Sequence, residues 1–282
     1  MRKSLTKYLL GGFLVLIFSC EYFHTNPVKQ VEIYSGKYLD LMIAAKNEDL
    51  DKMENIALSN HLNLNYADSK EGVSLLNWCA LTRKQKSFEK LLSLGADPNW
   101  QDKNGKMAPP ITEVAALEVS TFLELCLKYK GDPNILLIKE SESNYETPLY
   151  AAVTAGFPYP TENLNNLKIL IKAGADVNLT PDTIHGTPFI QALIGERIEM
   201  ARYLIDHGAD YTDSKFRTID GDKLSVLDFL RDLDFPLGSY KYKIKMGIVD
   251  LLQAKGMNYW NYPIPAVINE NHKGDSKFLS AY

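Results

Sequence analysis

Leu91–Asn99 reads LLSLGADPN, and close variants of it return along the chain at near-constant distance. Leu170–Asn178 is LIKAGADVN and Leu204–Asp210 is LIDHGAD; Leu127–Asn134, LKYKGDPN, and Leu251–Asn258, LLQAKGMN, are fainter copies. Each copy has the chemistry of a helix end. Two apolar residues close a buried face, and Gly95, Gly174 and Gly208 suit the left-handed conformation just past the last turn. Asp and Asn follow because their short side chains bond nearby backbone and hold a tight turn. One such segment is a helix stop. A series at fixed spacing sets an architecture.

Asn65 and Asn99 are 34 residues apart, Asn99 and Asn134 are 35 apart, and Gly174 and Gly208 are 34 apart. Thr147-Pro148-Leu149 and Thr187-Pro188-Phe189 lie upstream of two copies and predict helix starts, with Thr as N-cap and Pro at the first helical position. Ser74-Leu75-Leu76 takes the same place without the Pro. From Ser74 to Gly95, and from Thr187 to Gly208, there are 21 residues, room for two short antiparallel helices and a turn. Cap, helix, turn, helix and Gly-Ala-Asp turn, at a period of about 33 residues, resembles the ankyrin repeat. The pattern is fullest over Gly72–Asn99, Glu146–Asn178 and Gly186–Asp210, partial over Met107–Asn134, and faint over Leu41–Asp68 and Leu224–Asn258.

The resemblance implies an all-α ankyrin-repeat solenoid of about five to six helix–turn–helix repeats with hairpin fingers, spanning residues 36–258. Several departures from the pattern carry their own expectations. Gln30–Asp40 reads as a capping helix or part of one, with Ile33 and Tyr34 facing the first repeat. Pro109-Pro110 blurs the register of the third unit by one residue. Ile135–Asn144 is a long, partly apolar finger. Thr147 to Gly174 is 27 residues, so the fourth unit holds six extra; they fall within Gly156–Asn166, whose Pro158 and Pro160 predict a loop between its helices. Asp234–Lys243 reads as an insertion in the sixth unit. Residues 259–282 form a C-terminal cap or tail, its first part over the last repeat and its end loose. Ankyrin repeats usually place His after Thr-Pro-Leu to tie turns together; here Asn77, Tyr150 and Ile190 stand there, and of these Asn77 can make a similar bond while Ile190 cannot.

Arg2, Lys3 and Lys7 precede a nearly continuous apolar run, Tyr8–Phe18, which is too short to span a bilayer as a helix. Ile17-Phe18-Ser19-Cys20 ends the run and resembles a bacterial lipobox. The resemblance implies a lipoprotein signal peptide over residues 1–19, lipidation of Cys20 and a tether over residues 20–35. Glu21, where Asp is the usual inner-membrane retention signal in enteric bacteria, points to the outer membrane with the chain facing the periplasm. An ordinary secretory signal with an incidental Cys is the alternative reading. Loss of residues 1–19 removes three cations and no anions, leaving 28 Lys and Arg against 35 Asp and Glu, a balance of −7. That balance argues against nucleic acid, whose phosphates need a basic surface, and against a polybasic second contact with a membrane.

No catalytic constellation stands out. The five histidines are scattered without metal-ligand spacing, and phosphate loops and nucleophile elbows are missing. The chain therefore reads as no enzyme, with no metal, cofactor or small-molecule substrate; a hydrolase with its site in the two insertions is the weaker alternative. His207, just before Gly208, suits a structural role at a helix C-terminus. Cys79 and Cys126 read as buried thiols in adjacent repeats, with pairing left open. Asp232 and Asp234 read as a solvated loop rather than an acid–base couple.

Ankyrin solenoids typically bind other proteins on a concave face lined by inner helices and fingers. Carried onto this chain, the candidate partner-binding residues are Trp100, Lys103, Tyr145, Glu146, His185, Phe216 and Arg217, large or charged side chains in fingers, among them the residue types that anchor interfaces. Small bacterial ankyrin lipoproteins resemble immunity proteins that neutralise secreted toxic enzymes such as phospholipases. An envelope scaffold or stress adaptor is the alternative. The partner's identity is not written in the sequence.

Overall fold

The computed structural model describes residues 34–67, 72–101, 107–137, 147–155, 164–180, 186–214, 216–217, 221 and 223–282. The signal peptide, Cys20, nearly all of the tether, and Lys103, Tyr145, Glu146 and His185 lie outside them. Among the described residues the regular structure is helical, with only two isolated bridges, Ala67 to Ser74 and Arg217 to Lys223.

Helices come in pairs. The first five pairs are α1 (Gly36–Lys46) with α2 (Leu50–Ser59), α3 (Leu75–Leu81) with α4 (Gln85–Ser93), α5 (Pro110–Ala115) with α6 (Ser120–Lys128), α7 (Pro148–Thr154) with α8 (Leu164–Lys172), and α9 (Pro188–Ile194) with α10 (Ile198–Asp206). A sixth unit has α11 (Val226–Asp232) and the longer α12 (Tyr240–Ala254), and α13 (Ala266–Asn271) and α14 (Ser276–Ala281) complete the chain. The odd-numbered helices α1 to α11 pack on one another in series, as do the even-numbered α2 to α12, giving two layers. A continuous buried apolar cluster runs from Tyr34 to Tyr259, and Ile268, Phe278 and Tyr282 form a small second one.

The caps form as their sequences demand. Ser74, Thr147 and Thr187 accept hydrogen bonds from the backbone N–H of Asn77, Tyr150 and Ile190, at 3.0, 3.0 and 3.3 Å. Pro148 and Pro188 take the first helical position. Ser225 and Asp228 satisfy each other's backbone in a capping box. In the third unit Pro109 occupies the cap and Pro110 the first helical turn, so the register is unbroken and the one-residue slip does not occur.

The Gly-Ala-Asp turns are joined by a ladder of asparagines. Asn65 Oδ1 accepts from Asp97 N, Asn99 from Asp132 N, Asn134 from Asp176 N and Asn178 from Asp210 N, all at 2.7–2.8 Å. The amide groups of Asn99, Asn134 and Asn178 donate in turn to Lys130 O, Gly174 O and Gly208 O. Asn99, Asn134 and Asn178 thus spend both ends of their side chains on the next unit, which is why the period and the residue type recur together.

Three expectations are corrected. Among the described residues no separate capping helix precedes the first unit: residues 36–40 open α1, which carries LMIAA as the unit's inner helix, and buried Tyr34 donates its hydroxyl to Val73 O at 2.9 Å. The Asp234–Lys243 insertion shrinks to the connection Leu233–Ser239, because Ser239 caps α12 and draws Tyr240 and Tyr242 into it. The chain end is not loose, since α14 packs and Tyr282 is 1% exposed.

Candidate protein-binding surface

Of the inner helices, α1 exposes Lys37, Asp40, Ile43 and Lys46, whereas α3, α7 and α9 supply little surface. Every side chain of α3 is buried, as are six of seven in α7 and in α9. They are short, and each is pressed between its own outer helix and the inner helices on either side, so these three offer a partner few side chains. Asn77 illustrates the consequence: at 2% exposure it donates Nδ2 to Ala108 O at 3.1 Å, tying unit two to unit three as expected of it. Tyr150 and Ile190 are buried at the equivalent places. Large apolar side chains that do reach solvent include Ile43, Leu58, Leu136, Tyr240, Trp260 and Val267, none of them on α3, α5, α7, α9 or α11.

Of the candidate partner residues within the described segments, three have defined places. Trp100 is half-buried, its backbone N–H donating to Asp97 O at 3.2 Å, at the root of its finger. Next to it, Gln101 Nε2 donates to Leu136 O at 2.9 Å and links two successive fingers. Arg217 is exposed and donates to Gly221 O at 3.2 Å, bracing its own loop. Phe216 is a correction: it is 8% exposed and meets Phe229 edge-on, with ring centroids 5.3 Å apart. A Phe in a charged finger looks like an anchor for a partner, but the first residues of α11 offer it an apolar seat within the chain. The structure does not bring Trp100 and Arg217 together into one site.

Other polar residues settle into structural roles. His207 caps α10, its Nδ1 2.8 Å from Tyr203 O and its ring stacked on Tyr203. Cys79 and Cys126 are buried and unpaired with each other, and burial pushes both thiols well above their ordinary range. Asp234 is exposed in the connection after α11, as a solvated loop residue should be, and its carboxylate lies 2.8 Å from His272 Nε2. Among the described residues no group of three or more His, Cys, Asp or Glu could hold a metal ion, and no helix is long and apolar enough to cross a membrane.

Side chains that sew successive units together escaped the sequence reading. Ser87 in α4 donates to Ala45 O at the end of α1, and Asn166 in α8 donates to Ala115 O and Leu117 O at the end of α5. Arg197, before α10, donates to Val153 O and Ala155 O at the end of α7. Each answers the carbonyls that a helix leaves open at its C-terminus. The only hint in the sequence is their placement at the start of an outer helix, and the three residue types share nothing but a donor. On the outer layer, Lys90 pairs with Glu54 at 2.5 Å and Lys128 with Glu89 at 2.8 Å, again across neighbouring units.

Known proteins place this geometry. Residues 113–215 match the family model for ankyrin repeats, in three copies. Protein PhlB of Serratia liquefaciens is 34% identical over 116 residues, which is 41% of this chain; the match spans 45% of that relative's length. The human ASB11 ankyrin repeat domain superimposes with a TM-score of 0.50 and 18% identity over 74% of this chain and 96% of its own. The ankyrin repeat domain of Bcl-3, described as a member of the IkappaB protein family, gives 0.54 and 18% over 78% and 86%. At that identity the two structures speak for the fold, and they agree with the family model: the chain carries ankyrin repeats, stacked as an all-α ankyrin-repeat solenoid.

Proposed function

We propose that this chain is a protein-binding module held to the cell envelope by lipid on Cys20, facing the periplasm from the outer membrane, and that it serves as an immunity protein against a secreted toxic effector. The observation that carries the binding role is the stack of ankyrin units, since a solenoid of this kind exposes a long surface on a scaffold that needs no central active site. The lipobox-like Ile17–Cys20 supports the address. A mature balance of −7 favours a partner with a basic face. An anchored inhibitor would meet an incoming toxin where it arrives.

Crosslinking in intact cells, then affinity capture of the mature chain, tests this reading. A captured secreted enzyme that the purified chain inhibits, together with killing of cells lacking the gene by toxin-producing neighbours, is the expected result. Capture of resident envelope proteins, with deletion causing only envelope stress, would replace immunity by a scaffold or adaptor role. Turnover of lipid, peptidoglycan or peptide by the purified chain, abolished by a change within residues 156–166 or 234–243, would overturn the binding module altogether. A Cys20→Ser chain is expected in the soluble periplasmic fraction; its retention on membranes would remove the lipid anchor.

A further inference from the structure

Two buried cations hold the end of the chain onto the last repeat. Arg231 is 2% exposed and donates to Tyr282 O at 2.7 Å and Tyr259 O at 2.6 Å, its guanidinium 3.8 Å from the centre of the Tyr259 ring. Lys245, on α12, is fully buried; its Nζ donates to Leu233 O at 3.0 Å and lies 3.7 Å from the centre of the Tyr282 ring. Tyr282 returns its hydroxyl to Leu233 O at 2.8 Å and also to Arg231 O, and Tyr242 donates to Ala281 O at 2.7 Å. Neither cation pairs with an Asp or Glu side chain among the described residues.

Two positive charges in one apolar seat are costly unless one is given up. A guanidinium keeps its proton at any ordinary pH, whereas an amine sheds one and still donates to a carbonyl. Burial, and then the neighbouring Arg231, bring Lys245 down to about 7, with Asp234 pulling weakly the other way. The groups facing this ammonium are Arg231 from α11, Asp234 from the connection, and the rings of Tyr259 and Tyr282, while Asp232 and Tyr242 act on those two tyrosines.

We propose that α13 and α14 form a pH-sensitive strap, seated on the sixth unit when Lys245 is neutral and loosened when acid places a charge on it. A released Lys245 in water returns to its ordinary range near 10.5. The open form therefore binds the extra proton between about pH 7 and pH 10.5, and seating strengthens as pH rises through that window. Below about pH 7 both forms are protonated and the strap is at its weakest. His272 Nε2 lies 2.8 Å from Asp234 at the edge of this seat and is varied separately.

Hydrogen exchange of the whole chain at pH 6 and pH 9, corrected for intrinsic rates, tests the strap. The opening constant read from amides of residues 266–282 is expected to be larger at pH 6 on the order of tenfold to a hundredfold, while residues 75–206 hold their protection. Lys245→Met, which keeps the apolar stem and removes the charge, should abolish the extra opening of 266–282 at pH 6. His272→Gln should leave that extra opening in place. Equal opening at the two pH values in the unmodified chain, or extra opening at pH 6 that survives in Lys245→Met, would overturn the proposal.

Discussion

Lys130 sits where three other units have glycine. Its φ of 68° is the left-handed conformation that Gly95, Gly174 and Gly208 adopt at the same turn, with φ of 102°, 93° and 93°. Gly131 is displaced by one position into the place of buried Ala96, where an added Cβ would stand 2.7 Å from Ile111 Cδ1 and 2.8 Å from Cys126 O. The faint copy LKYKGDPN is thus the usual turn with its Gly and Ala sites altered. Lys130→Gly should stabilise the chain by about 0.5–1 kcal/mol, and Gly131→Ala should destabilise it by about 1–3 kcal/mol, both read from urea midpoints. Thiol chemistry gives a second test at this scale. In a Cys20→Ser chain, Cys79 and Cys126 should resist a maleimide at pH 8 until denaturant is added, because burial holds both as thiols.

Among elements, the short inner helices depend on their neighbours. α5 has six residues, too few to persist alone, and its end is fastened by Asn166 from the following unit's outer helix. Asn166→Ala should cost about 2–3 kcal/mol, since it takes the donor from the carbonyl of buried Ala115, and exchange should quicken first in residues 110–117. Loss of protection centred on α8 itself would show that the side chain matters only to its own helix. The prolines of the fourth unit allowed a loop through Asn166, yet α8 starts at Leu164 and takes in Asn165 and Asn166. Hydrophobic pattern and caps made these helices legible in the sequence; which side chain fastens which end was not, because the pairs are 42 to 52 residues apart.

At the scale of the molecule, units that touch only their neighbours need their ends closed. The asparagine ladder stops where Thr212 stands in the place of Asn178, its hydroxyl turned to Asp210 at 2.8 Å. From there Phe216 against Phe229, and then the strap, carry the stack to its end. Arg231→Ala should cost about 2–3 kcal/mol by stranding Tyr282 O and leaving Tyr259 O only the Tyr262 N–H, with protection lost over residues 259–282 and kept over 75–206. Unfolding of the whole chain in one step with no local loss would contradict a closure of this kind.

Sequence alone determined the repeat, its caps and turns, and the buried positions of Trp78, Cys79 and Ala80, because each is fixed by contacts within about one period. It also held the ladder, whose partners recur with that period. Tertiary structure alone decided that Phe216 points inward, that Asp234 meets His272, and that Arg231 and Lys245 share one seat with Tyr259 and Tyr282. These contacts join segments of unequal spacing, and a side chain's exposure in a stack depends on what the next unit brings to it.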